Sequence, residues 1–151
     1  QLRGDFLCQT LSVTFGQDLV INRGDVGQET AFDGLYTKVG SLTIGLRSVY
    51  HINRQTANGA LKGYFAYCPR RSHWTYTILT EKDPYKLTED DVCTYDLRSP
   101  PAPNSFDITE IGPSEWFYRE RGVDKPTRDF NLWCSACESL EDCGRGADLC
   151  Q

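Results

Sequence analysis

The seven cysteines are the residues of this sequence with the clearest chemical potential. Four of them stand near the C-terminus with the spacing C-x₂-C-x₅-C-x₆-C: Cys134, Cys137, Cys143 and Cys150. The first pair alone has the spacing of zinc ligands or of a redox dithiol. A zinc site needs a second close pair or histidines, and this segment has neither. The pattern therefore predicts disulfide bonds, with no metal and no cofactor.

The other cysteines lie in the part of the chain that is rich in predicted strands. Cys68 and Cys93 flank one predicted strand and an acidic loop, so we expect them to form a bridge. Cys8 is expected to join a C-terminal cysteine and to draw the two chain ends together. Because seven is odd, one thiol is buried, modified or bonded to another chain. We predict that this surplus thiol is Cys150 and that it is available to another subunit.

Candidate catalytic groups are scarce. The chain has two histidines, His51 and His73, and it lacks the common hydrolase, metalloprotease and nucleotide-binding motifs. Asp107 and Glu115 form a glycosidase pair only if the fold brings them together. We therefore predict no catalytic residues. A small secreted enzyme or inhibitor is the third function considered, after a binding or structural module and a lectin.

Two pairs of aromatic residues have the i, i+2 spacing that places side chains on one face of a strand: Trp74 with Tyr76, and Trp116 with Tyr118. Flat, rigid rings of this kind stack on sugars, and they also fill β cores. The first interpretation predicts a carbohydrate-binding lectin, and the second predicts core packing.

The tripeptide Arg-Gly-Asp occurs at Arg3-Gly4-Asp5 and again at Arg23-Gly24-Asp25. It resembles the integrin-recognition motif of adhesive extracellular proteins. The resemblance implies that the aspartate carboxylate meets a receptor metal ion and that the arginine meets acidic residues. Arg23, Gly24 and Asp25 read as an exposed turn, and a solvated Gly-Asp turn without a receptor is the alternative.

Two charged segments are further candidates. The acidic run 88–91 and Asp83 supply oxygen atoms of the kind that bind Ca²⁺, but their spacing does not fit an EF-hand, so we expect a solvated loop. Arg70 and Arg71 stand at a predicted turn, where they contact anionic groups or keep a sheet edge soluble.

Composition limits the possible partners and compartments. The chain has 151 residues and a net charge of −5, which argues against nucleic acid as a partner. No apolar run is long enough to span a membrane. The absence of methionine predicts that a secretory signal peptide has been removed. With the cysteines, this indicates a secreted, extracellular protein, and an organellar lumen is the alternative.

Alternation of apolar and polar residues predicts an antiparallel meander, with Asn58-Gly59 as a hairpin turn. The clearest predicted strands are Leu11–Phe15, Gly34–Val39, Ser48–Ile52, Ala60–Cys68 and His73–Leu79. Shorter strands are expected in Val92–Tyr95, Phe106–Ile111 and Trp116–Tyr118.

The expected fold is mainly β: an antiparallel meander, sandwich or barrel-like domain with a short, disulfide-stapled C-terminal helix. Ser135 and Glu138 form a capping box for that helix, and Gly144 ends it. The expected domains are a β-rich unit, 1–126, and a cysteine-rich appendage packed on it, 127–151. We predict a secreted non-enzymatic binding or structural module whose partners are other protein subunits, an extracellular receptor or glycans.

Overall fold

The computed structural model describes residues 8–24, 32–56, 59–80, 83–112 and 115–136. The first Arg-Gly-Asp copy, Asp25 of the second copy, and Asn58 lie outside these residues. So do Cys137, Cys143, Cys150 and the rest of the segment predicted as a C-terminal helix. The predictions made for them stay predictions.

In these described residues, nine antiparallel strands form one curled, half-barrel sheet. The strands are β1 Thr10–Thr14, β2 Gly34–Ile44, β3 Arg47–Thr56, β4 Gly59–Cys68, β5 His73–Thr80, β6 Leu97–Arg98, β7 Phe117–Glu120, β8 Val123–Pro126 and β9 Asn131–Ala136. The first eight follow one another in space as a meander, and β9 returns to pair with β1. The predicted mainly β meander is therefore confirmed, and its form is barrel-like.

The five clearest strand predictions are confirmed as β1–β5. The predicted hairpin between β3 and β4 is also present, with Thr56 opposite Gly59 at its end. The turn after Cys68 is closed by a hydrogen bond from the Ser72 amide to the Cys68 carbonyl, 2.8 Å. The alternation of apolar and polar residues predicted these strands correctly because each strand is long enough to show the two-residue period of a β-strand.

The inner face of the sheet carries a large aromatic core. Phe65 lies near its centre, with ring centroids 4.6 Å from Tyr76 and 5.2 Å from Tyr36. The hydroxyls of these two tyrosines are 2.6 Å apart, and Tyr36 also donates to the Phe32 carbonyl. A side chain at Gly63 would place its Cβ only 2.1 Å from the Tyr76 hydroxyl, so this position requires glycine. Side-chain burial and satisfied hydroxyls together stabilise this face.

The outer face carries a smaller apolar cluster over β2–β5, formed with Val39, Val49 and Tyr64. Two short helices accompany the sheet: α1, Gln17–Asn22, and α2, Glu89–Cys93. Helix α2 places Val92 in the outer cluster. The predicted Cys68–Cys93 bridge joins this helix to β4, which confirms that pairing.

Two of the shorter strand predictions are wrong. The segment Val92–Tyr95 overlaps the end of α2, which begins after a capping box formed by Thr88 and Asp91. The segment Phe106–Ile111 contains a 3₁₀ helix, Ile108–Glu110, because Asp107 caps it. Both caps satisfy amide groups at a helix start, which local alternation does not reveal.

The described part of the C-terminal stretch ends in a strand. Ser135 lies in β9 and is not a helix N-cap, and residues 131–136 belong to the same sheet as β1. Cys8 is bonded to Cys134, so the predicted link between Cys8 and a C-terminal cysteine is confirmed. The buried Asp18 carboxylate accepts hydrogen bonds from the amides of residues 128–130, which holds the loop before β9. Within the described ranges, no helix is both long and apolar enough to cross a bilayer.

Candidate functional site

Charged side chains replace apolar ones on the outer face between β5 and β8. Residues opposite one another in an antiparallel pair share a face. Thr75 of β5 is opposite Arg98, Arg98 is opposite Phe117, and Arg119 is opposite Asp124. His73 lies on this same face, two residues before Thr75. The register therefore gathers Arg98, Arg119, Asp124 and His73 from four different strands.

These side chains line an open depression of about 730 Å³, which we call the arginine pocket. Its lining is Arg71, His73, Tyr95, Arg98, Pro101, Arg119, Gly122, Val123 and Asp124. The β4–β5 turn supplies Arg71, the segment after α2 supplies Tyr95, and the β7–β8 hairpin supplies the residues from Arg119 to Asp124.

Asp124 is held by three neighbours. Arg98 Nε donates to its Oδ2 at 2.6 Å, and the Tyr95 hydroxyl donates to the same oxygen at 3.0 Å. Arg119 Nη1 lies 3.7 Å from Oδ1 and donates to the Tyr95 hydroxyl at 2.7 Å. Burial acts against ionisation of this carboxyl, but the hydrogen bonds from Arg98 and Tyr95 prevail and lower its pKa. Asp124 is therefore ionised at neutral pH and fixes the two guanidinium groups in place.

His73 is the buried member of the pocket, with 5% of its surface exposed. Burial, followed by the positive charges of Arg98 and Arg71, lowers its pKa from 6.5 to about 4. Its ring meets that of Tyr95 edge-on, with centroids 5.5 Å apart. Nε2 is buried and has no hydrogen-bond partner in the described part of the chain. Such an unpartnered polar atom costs free energy that a bound group can recover.

Arg70 and Arg71 are neighbours in sequence with different surroundings. Arg70 Nε lies 3.2 Å from Glu89 Oε2, and the same guanidinium also pairs with Asp90. The acidic run 88–91, which was considered for Ca²⁺ binding, is thus the exposed start of α2, and Arg70 forms ion pairs with two of its carboxylates. Arg71 lines the pocket, and its guanidinium has no ion pair among the residues that the structure describes.

The charge of the pocket is opposite to that of the protein. Three arginines face one aspartate, and His73 is neutral at pH 7, so the formal charge of the lining is +2. The whole chain carries −5. Positive charge concentrated in a depression attracts anions and supplies planar N–H donors to their oxygens.

The aromatic residues predicted as a sugar platform are all in the core. Trp74, Tyr76 and Trp116 are at most 1% exposed, and Tyr118 is 7% exposed. Their faces are covered by other side chains of the inner cluster, so they offer no open ring to a sugar. The alternation that suggested a platform reflects their place in the inner cluster, in β5 and at the start of β7.

The second Arg-Gly-Asp copy follows α1. Arg23 is partly buried, and its Nη1 lies 3.6 Å from Asp96 Oδ1, while Gly24 is exposed. Arg23 is thus engaged within the chain. Of the two carboxylates considered as a glycosidase pair, Asp107 is buried and caps its 3₁₀ helix, and Glu115 is exposed.

Sequence reasoning identified Arg71 as a possible contact for anionic groups, but it missed Arg98, Arg119 and Asp124. One weak signal was present. In the segment 117–119, Tyr118 alternates with Phe117 and Arg119, which is the pattern of a strand with one charged face.

No protein-family model, curated protein or solved structure gives a significant match to this chain.

Proposed function

We propose that this protein is a secreted binding module and that the arginine pocket is its binding site for an anionic group. The observation that carries the proposal is the gathering of three arginines around the buried His73, whose Nε2 has no hydrogen-bond partner among the described residues, in an acidic protein. The two disulfide bonds in the described part of the chain favour an oxidising compartment, in keeping with secretion.

The chemistry of the pocket supports binding rather than catalysis. A histidine whose pKa is about 4 is a weak base at pH 7. Asp124 is held by hydrogen bonds from Arg98 and Tyr95, which lower its pKa and remove its capacity as a base. The described lining contains no serine, threonine or cysteine that could act as a nucleophile. Fixed positive groups of this kind suit recognition of an anion.

An NMR titration of the oxidised full chain tests this proposal. Phosphate, sulfate and acetate are added at constant ionic strength, and amide and arginine Nε shifts are followed. We expect saturable shifts confined to residues 71–73, 95–98 and 119–124 with at least one of the anions. Shifts that are spread over the surface, or that never saturate, would contradict the proposal.

The neighbouring arginines supply a matched pair of variants. Arg71→Gln and Arg70→Gln remove the same charge at adjacent positions, but only Arg71 lines the pocket. We expect Arg71→Gln to weaken anion binding by roughly tenfold and Arg70→Gln to leave it within about twofold. Equal losses in the two variants would show a general charge effect and not a site.

A further inference from the structure

We propose that the anion bound in the arginine pocket is a phosphate monoester in its dianionic form, an inference that rests on the proposed function and names its ligand class. Three features of the pocket support this choice: its charge, its donor geometry and its apolar border.

The charge of the lining favours a dianion. Asp124 balances one unit of the charge of Arg98 and Arg119, and Arg71 adds a further unbalanced cation, which leaves a formal +2. A phosphate monoester carries close to two negative charges at pH 7.5. A carboxylate or a sulfate monoester carries one, and would leave part of this charge unbalanced. The electrostatic gain is therefore largest for the phosphate monoester.

The donors converge from several directions. Arg71 approaches from the β4–β5 turn, Arg98 from the centre of the pocket wall and Arg119 from the β7–β8 hairpin. Each terminal oxygen of a phosphate monoester can accept a hydrogen bond from a different guanidinium, and the planar guanidinium group matches the geometry of phosphate oxygens. A flat carboxylate has only two oxygens and cannot use three separated donors as well.

His73 adds a group that fits this ligand. It lies in the lining, and its buried Nε2 has no hydrogen-bond partner among the described residues. A neutral imidazole donates from one nitrogen and accepts at the other, so Nε2 can pair with a phosphate oxygen in the tautomer that carries its proton.

The border of the pocket favours an ester over the free ion. Val123 is 56% exposed, and with Pro101 and Gly122 it forms an uncharged rim beside the arginines. The depression of about 730 Å³ is much larger than one phosphate group. An apolar group attached to the phosphate can cover Val123 and gain the free energy of burying apolar surface.

Calorimetric titrations with matched probes test the ligand class. Phenyl phosphate and phenyl sulfate have the same ring and a similar tetrahedral group, but differ by one unit of charge at pH 7.5. We expect phenyl phosphate to bind about tenfold more tightly than phenyl sulfate at this pH. Inorganic phosphate is the third probe, and it should bind more weakly than phenyl phosphate because it leaves Val123 uncovered.

Repeating the titrations at pH 5.0 provides an internal control. The second ionisation of a phosphate monoester lies near pH 6, so phenyl phosphate is then a monoanion. The arginines remain positively charged at this pH. In the free protein His73 remains neutral because its pKa is about 4, and Asp124 remains ionised because its pKa is lowered. The advantage over phenyl sulfate should therefore disappear. Performing the same titrations on His73→Gln separates the ionisation of the ligand from any protonation of the histidine.

The outcomes separate the two proposals. Equal binding of phenyl phosphate and phenyl sulfate at pH 7.5 would overturn the phosphate assignment and leave the anion site in place. Tighter binding of inorganic phosphate than of phenyl phosphate would overturn the ester assignment. Failure of all three probes, together with no saturable shifts in the NMR titration, would overturn the site itself.

Discussion

The outer face of the sheet has two halves, of which one is apolar and the other is charged. Over β2–β5 an apolar cluster with α2 packed beside it closes the face, and the strands there have eight to eleven residues. Over β6–β8 the strands have two to four residues, and the same face carries arginines around Asp124. The long strands build the buried frame, and the short strands at its end carry the proposed anion site. Stability and the proposed binding are thus placed on separate parts of one continuous sheet.

The largest expected effect comes from the inner core that supports both halves. Phe65→Ala removes a fully buried ring that contacts Tyr36, Tyr76 and Trp116. We expect the free energy of unfolding to fall by about 3–5 kcal/mol, because lost burial and a residual cavity add together. Chemical denaturation under non-reducing conditions measures this loss.

Phe106→Ala is the matched control for that experiment. Phe106 is 41% exposed and stacks on Arg47, so its removal should cost about 1 kcal/mol or less. Similar losses in the two variants would show that the aromatic core is not the main source of stability.

The second prediction concerns a disulfide of the apolar half that lies next to two pocket residues. The Cys68–Cys93 disulfide ties α2 to β4, His73 is opposite Cys68, and Tyr95 follows Cys93 by two residues. Replacing both cysteines with alanine should lower the free energy of unfolding by about 3 kcal/mol. It should also weaken phenyl phosphate binding, because Tyr95 is no longer anchored near Asp124.

A second disulfide variant shows whether that binding loss is local. Cys8→Ala/Cys134→Ala removes the bridge on the inner face, near β1 and β9. At a temperature where this variant is folded, its affinity for phenyl phosphate should match that of the wild type. Equal binding losses in both double variants would indicate that the effect of removing Cys68–Cys93 is not local to the pocket.

The same comparison explains what the sequence could predict. In β1–β5 the alternating pattern runs long enough to define a strand and its inner face, so the meander and the hairpin near Gly59 were predicted. β6 has only two residues, with Leu97 on the inner face and Arg98 on the outer face. A strand this short shows no alternating pattern from which it could be predicted. Cys68–Cys93 was predicted because both cysteines flank one strand and one loop. The pocket was not predicted. Arg119 and Asp124 face each other across a short hairpin, but Arg98 and His73 join them only through the pairing of β5, β6 and β7, which long connections separate.

The smallest expected effect is a pH dependence of stability that arises at His73. In the unfolded chain His73 takes up a proton near its usual pKa of 6.5, whereas in the folded protein burial and the nearby arginines lower that pKa to about 4. Between these values the unfolded state binds more protons, so the free energy of unfolding decreases as the pH falls from 6.5 towards 4. After allowance for solvent screening in an open pocket, we expect the wild type to lose about 1–2 kcal/mol more than His73→Gln across this window. Denaturation curves at several pH values measure the difference, and parallel curves for the two proteins would contradict it. Saturating phenyl phosphate should reduce the difference, because a bound anion beside His73 favours its protonated form and raises its pKa. A smaller difference in the presence of the ligand would show that the bound anion lies close enough to His73 to offset part of the effect of burial and of the Arg98 and Arg71 charges.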